Sequence, residues 1–244
     1  MCTVSWKFAV AGYDLFFNRD EQRLRNEASP PRIIQQNGKS VIAPQDTNAG
    51  GTWLAVNEQG ITSFLLNHYP SASQQFAESR GKVVFLLMGA ESRSEAEQLI
   101  ESLPLHNFAP FRAGVCIPGA GSFTWLWNGT ILRNEGSQDK FLTSSSYQSE
   151  QVVASRKNLF EAINPSCTED YLDLHSSHFP SKGPLSVCVH RSDAQTVSFS
   201  HIRVRRKQIT FHYFPGSPCR SAKGHTVVLD RKFTEMTERA FRVA

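Results

Sequence analysis

The sequence predicts an α+β protein built from stacked layers of sheet and helix. Three observations carry that expectation. Short apolar runs broken by glycine-containing turns fill the first seventy residues and the last third of the chain. Segments with a helical apolar period lie between them. The turns joining neighbouring runs are short, which suits antiparallel hairpins. Strand groups separated by helices pack as alternating layers. The 244 residues are 40% hydrophobic, enough for a large core, and no linker interrupts them, so a single domain over 1–244 is expected.

Apolar runs at 3–10 and 13–17 flank Ala11-Gly12 and read as a hairpin. Residues 22–39 carry Pro30 and Pro31 and read as a loop anchored by Ile33 and Ile34. Strands follow at 41–43 and 52–56, with a turn at 46–51 between them. The turn 57–60, with Gly60 at a positive φ, leads to a return strand at 61–66, closed by Asn67-His68-Tyr69-Pro70. Segment 79–90 reads as a helix despite its strand-like composition. A second helix spans 92–102: Ser92 caps it, Glu95 sits at the box position, and Pro104 stops it. Strands 111–117, 122–127 and 131–133 form a meander, and 141–143 enters the serine run 144–146. Helices are expected at 150–163, where Val152, Val153, Arg156, Leu159, Phe160 and Ile163 share one side, and at 168–174, capped by Thr168. After a loop with Pro180, Gly183 and Pro184, strands are expected at 185–190, 196–204, 208–214 and 226–229, with a loop at 215–218.

The chemistry concentrates at the amino end. An antiparallel hairpin returns the end of its second strand to the start of its first, so Arg19 and Asp20 come back beside Cys2. Removal of Met1 would give Cys2 a thiol of pKa about 8.5 and an α-amine of pKa about 8 on the same residue. The amine can then serve as base for its own side chain. Arg19 would lower the thiol pKa and Asp20 would orient the amine.

Met1-Cys2, the tetrad Asn18-Arg19-Asp20-Glu21, and GGTWLAVNEQG at 50–60 continuing as ITSFLLN at 61–67 together resemble the NRDE family, that of transport and Golgi organisation 2. The match is strongest over residues 1–70. The family is similar in fold to the amino-terminal nucleophile hydrolases. The resemblance implies a four-layer αββα sandwich, with two antiparallel sheets between helical layers, and Cys2 as terminal nucleophile. It implies Asn67 as the donor to an oxyanion. The family usually has Asn-Tyr there, where this chain has Asn67-His68-Tyr69. Serines 144–146 stand where related chains carry an asparagine, and Asp193-Ala194-Gln195-Thr196 lacks a family arginine. Arg191, Arg203, Asn134 and Asn158 are candidates to replace the missing groups. A cysteine hydrolase of linear amides, weak or inactive, is one implied function. The other is a non-enzymatic carrier of haem or lipid, since the family is linked to haem movement, mitochondrial lipid metabolism and Golgi organisation. No cofactor is required in either case, and haem enters as a candidate ligand.

Other classes find little support. A net charge of +4 is too mild to demand nucleic acid, and the six basic residues within 203–207 and 220–223 alternate with apolar ones. Cys2, Cys116, Cys167, Cys188 and Cys219 show no CxxC or Cys/His spacing, so no metal site is expected. His68, His190, His201 and His212 read as packed or surface histidines. No apolar stretch approaches eighteen residues, and Asp14, Arg19 and Asp20 interrupt any leader, so a cytoplasmic location is expected, with Golgi or mitochondrial association open. Gly119-Ala120-Gly121 lacks the lysine of a phosphate loop, and no GxSxG elbow occurs. Loops 22–39, 70–80 and 176–184 would shape a pocket, and none carries a motif that names a ligand. Oligomeric state is equally unspecified.

Overall fold

The computed structural model describes residues 1–69, 76–136, 139–220 and 223–232. The founding element is the amino-terminal hairpin of β1 (Cys2–Ala9) and β2 (Gly12–Gln22). The chain then lays down β3 (Ser29–Gln36), β4 (Lys39–Gln45), β5 (Leu54–Asn57) and β6 (Thr62–Asn67). Helices α1 (Gly81–Leu87) and α2 (Arg93–Glu101) follow, then the meander β7 (Phe111–Ile117), β8 (Gly121–Trp127) and β9 (Leu132–Gly136). Strand β10 (Phe141–Ser144) leads to helices α3 (Ser149–Ile163) and α4 (Thr168–Ser176). The chain closes with β11 (Ala194–Val204), β12 (Gln208–Pro215) and β13 (His225–Asp230).

Two antiparallel sheets result, ordered β10-β1-β2-β11-β12-β13 and β3-β4-β5-β6-β7-β8-β9. The two-residue side-chain period of a strand gives each sheet two different faces. Val4, Trp6, Tyr13, Leu15 and Phe17 of the first sheet meet Ile42, Leu54, Val56, Phe64 and Leu66 of the second in a core between the sheets. Full burial of each large side chain there stabilises the fold by about 1.5–3 kcal/mol. The outer face of the second sheet packs Val41, Leu65 and Val115 against Val83, Val84 and Leu87 of α1 and Ala96 and Ile100 of α2. The outer face of the first packs Phe16 and Phe199 against Tyr171 of α4, and Phe141 against Leu174. The order helix, sheet, sheet, helix is the αββα sandwich expected from the resemblance.

Several expectations need correction. Residues 22–39 are not all loop, since β3 runs through Pro30 and Pro31. An edge strand tolerates prolines because its outward N–H groups have no ladder partner, and the register shifts between Ser29 and Arg32 beside them. Residues 185–190 form no strand. Val187, Cys188 and Val189 are fully buried, but the segment contributes only an isolated bridge between His190 and Gln195. Its apolarity serves packing, not a ladder. The helix expected over 79–90 is confined to Gly81–Leu87, and α4 is capped by Cys167, one residue before Thr168. The cap at Ser92 is as expected, its Oγ accepting from the Glu95 N–H at 3.2 Å. Residues 70–75 of the loop 70–80, with Pro70 of the strand-closing turn, lie outside the described residues. No described helix is long and apolar enough to cross a membrane.

Candidate active site

Strand β1 is flanked on both sides: Cys2 pairs with Arg19 of β2 and with Ser144 of β10. The start of the chain is thereby fixed within the sheet. A cleft of about 280 Å³ opens at this point, bordered by Met1, Cys2, Arg19, Asp20, Asn67 and Arg80, among others. The four residues singled out by sequence therefore share one cleft.

They do not share one face. Cys2 belongs to the core between the sheets. Arg19 follows it there, ion-paired to Asp46 at 2.7 Å and stacked over Trp53 with its guanidinium carbon 4.3 Å from the ring centroid. Asp20, one residue on, turns toward the helical layer, as the strand period requires. Its Oδ1 accepts from Thr196 Oγ1 at 2.7 Å, and its Oδ2 lies 3.6 Å from Arg156 Nη1, an ion pair longer than a hydrogen bond. Both side chains of that pair are buried. Burial pushes the Asp20 carboxyl up from its ordinary pKa, against the pull of Arg156. Arg156 also donates to Thr3 Oγ1 at 3.0 Å and Thr143 Oγ1 at 2.9 Å, tying α3 to β1 and β10.

The terminal ammonium of Met1 donates to Asp20 O at 3.2 Å and to the Tyr69 hydroxyl at 3.1 Å. Asn67 Nδ2 donates to the same hydroxyl at 3.0 Å. Burial alone would lower the ammonium pKa, but Tyr69, Cys2 and Asp20 outweigh it and hold the group at about 10. Burial pushes the Cys2 thiol up as well, and the neighbouring ammonium and Arg19 only partly offset it. With Met1 attached, the terminal amine is thus a cation and the thiol is neutral. The expected lowering of the thiol by Arg19 is present in sign but outweighed by desolvation.

The proposed substitutes separate clearly. Arg191 reaches this region: its Nη1 lies 3.6 Å from Met1 Sδ and its guanidinium covers Tyr147. Ser145 Oγ is also beside Met1 Sδ, at 3.3 Å, and bonds Tyr147 O at 2.7 Å. Asn134, on β9 at the far edge of the second sheet, donates to Glu97 of α2, Asn158 is exposed, and Arg203 pairs with Asp14 at 3.2 Å. Sequence reasoning missed Arg156, Thr196, Asp46 and Tyr69 as site residues. Arg156 carried a signal, a lone charge on the apolar side of its helix.

The architecture and the enclosed cysteine at the start of β1 define an amino-terminal nucleophile hydrolase-like fold. Its solved relatives include a cysteine-to-alanine mutant of conjugated bile acid hydrolase from Clostridium perfringens. That structure matches with a TM-score of 0.63 at 11% identity, covering 96% of this chain and 98% of that one. An N-acylethanolamine-hydrolyzing acid amidase ortholog from Caenorhabditis elegans matches at 0.59 and 10% identity, over 83% and 92%. Penicillin V acylase from Agrobacterium tumefaciens matches at 0.54 and 12%, over 93% and 86%. No curated protein sequence matches the chain significantly. The chain belongs to the transport and Golgi organisation 2 family, whose model matches residues 1–171.

Proposed function

We propose that the chain is a cysteine-nucleophile hydrolase of small linear amides, silent while Met1 is attached and slow once Cys2 is terminal. The observation that supports this most directly is the shared cleft of Cys2, Asp20 and Asn67, walled by charged and polar groups. In the released form the Cys2 amine takes the thiol proton, sulfur bonds to the amide carbon, and the C–N bond breaks as the leaving amine receives that proton. Water then cleaves the thioester. Asp20 Oδ2, buried and without a hydrogen-bond partner among the described residues, is the acceptor suited to the new ammonium.

Slow turnover follows from the donors. One of the two Asn67 amide hydrogens is engaged by Tyr69, and the single Ser145 hydroxyl hydrogen is engaged by Tyr147 O. An oxyanion lacking one donor costs about 3 kcal/mol, or about a hundredfold in rate. Of the similar solved structures, one is described as an N-acylethanolamine-hydrolyzing acid amidase and another as a penicillin V acylase, which supports the substrate class. A reducing compartment such as the cytoplasm suits this chemistry, because Cys2 stays a thiol there. A haem or lipid carrier needs a broad apolar cavity, which the polar walls at Cys2 do not supply.

The test is intact-mass analysis of the chain with and without Met1 after exposure to an amide library. The Cys2-terminal form should gain an acyl mass in a burst, and neither the Met1-bearing form nor a Cys2→Ala variant should. Absence of any adduct, together with stoichiometric haem binding that survives Cys2→Ala, would establish the carrier instead.

A further inference from the structure

Away from the cleft, four side chains from distant points of the sequence converge. They are His178 just beyond α4, Cys188 and His190 in the segment before β11, and Cys219 in the loop after β12. One ligand atom from each lies within 4.8 Å of all the others. Nε2 of His190 is 3.5 Å from Cys188 Sγ and 3.3 Å from Cys219 Sγ. Tetrahedral zinc, with Zn–S about 2.3 Å and Zn–N about 2.0 Å, separates sulfur from nitrogen by about 3.5 Å. The rings of His178 and His190 meet edge-on at 5.0 Å, and His178 Nε2 is buried without a hydrogen-bond partner among the described residues. Two cysteines and two histidines with no carboxylate form a donor set suited to zinc and unsuited to calcium or magnesium.

We propose that His178, Cys188, His190 and Cys219 form a tetrahedral zinc site that clamps the segment before β11 to the loop after β12. Binding converts two thiols to thiolates and releases their two protons, so the zinc dication and its ligands are together neutral. The clamp encloses Thr196. Val189 N donates to Thr196 Oγ1 at 2.8 Å, Ser217 Oγ donates to Thr196 O at 2.8 Å, and Thr196 in turn holds Asp20. The metal would thus be structural, positioning the residue that positions Asp20.

The experiment uses the full chain, reduced and desalted after exposure to zinc. Elemental analysis should find one zinc per chain, and X-ray absorption should show two sulfurs at about 2.3 Å and two nitrogens at about 2.0 Å. Cobalt in place of zinc should give the visible bands of a tetrahedral thiolate site. Cys219→Ser and His178→Asn alter partly exposed residues and so spare the core. Each should weaken zinc in a chelator competition by about a hundredfold. Zinc should raise the melting temperature of the parent chain and leave that of Cys219→Ser unmoved. A fully reduced parent chain that retains no zinc overturns the proposal. So does zinc held equally well by both variants, or a sulfur-free absorption spectrum.

Discussion

At the residue scale, an arginine with 1% of its surface exposed has to be matched by its surroundings, and the Arg156 guanidinium meets Asp20, Thr3, Thr143 and Pro184 O. Removing one partner of a buried pair leaves the other charged and desolvated. Arg156→Met should therefore lower stability by about 3–5 kcal/mol in urea unfolding. Asp20→Asn should relieve part of that loss, with a coupling of about 0.5–3 kcal/mol in the double-mutant cycle. Strict additivity of the two single losses would show that they do not interact. Arg156 also marks a limit of reading residues singly. A charge on an apolar helix face is visible in the sequence, but its partner lies 136 residues earlier on another element, and no local pattern links them.

At the element scale, α4 is fixed to the amino-terminal hairpin largely through His175. Its Nε2 lies 2.8 Å from Ser5 Oγ and its Nδ1 3.0 Å from Asn18 Oδ1, while Phe16 stacks on Tyr171 at 4.9 Å. Burial lowers the His175 pKa to about 3, and His201 adds to that. The unfolded chain therefore takes up this proton near pH 6.5, whereas the folded chain stays neutral until about pH 3. Stability falls as pH drops through that window, because the unfolded state binds more protons. His175→Gln should flatten the fall by about 1.4 kcal/mol per pH unit between pH 5.5 and 4, measured by denaturant midpoints. An unchanged slope would mean that His175 is protonated in the native state.

The elements were legible where local chemistry alone sets them. The hairpin of β1 and β2, the Ser92 cap and the meander all follow from period and turn residues. Strand β3 was hidden by two prolines whose cost disappears at a sheet edge. The 185–190 run misled because burial without pairing has the same composition as a buried strand. Within the candidate site, Cys2, Arg19 and Asp20 were legible through hairpin geometry, whereas Thr196 depends on β11 lying beside β2, a long-range pairing that spacing does not encode. The Cys/His group gathers segments after α4, before β11 and after β12, which no local pattern joins.

At the scale of the whole molecule, the sheets are joined by more than apolar contact. Tyr13 on β2 crosses the interface, its hydroxyl 2.7 Å from Gly60 O, 2.6 Å from Thr62 Oγ1 and 3.3 Å from Cys116 O. With a single proton it donates to a carbonyl and accepts from Thr62. Tyr13→Phe keeps the ring and strands these buried groups, so a loss of about 1–3 kcal/mol is expected. The denaturant midpoint should fall while the slope m stays constant, since the surface exposed on unfolding is nearly the same. A midpoint equal to that of the parent chain would assign the cohesion of the sheets to packing alone.

The alternation along β2 has a consequence for descent. Arg19 and Asp20 are neighbours in sequence, yet a sheet stands between the Asp46–Trp53 surroundings of one and the Thr196–Arg156 surroundings of the other. Changes that strip the thiol side of its charge leave the buried anchor of α3 untouched. A lineage can lose turnover by drift on one face while the opposite face keeps selection for folding satisfied. Persistence of the tetrad in a relative would then testify to an intact sandwich, and only the contents of the cleft would testify to chemistry.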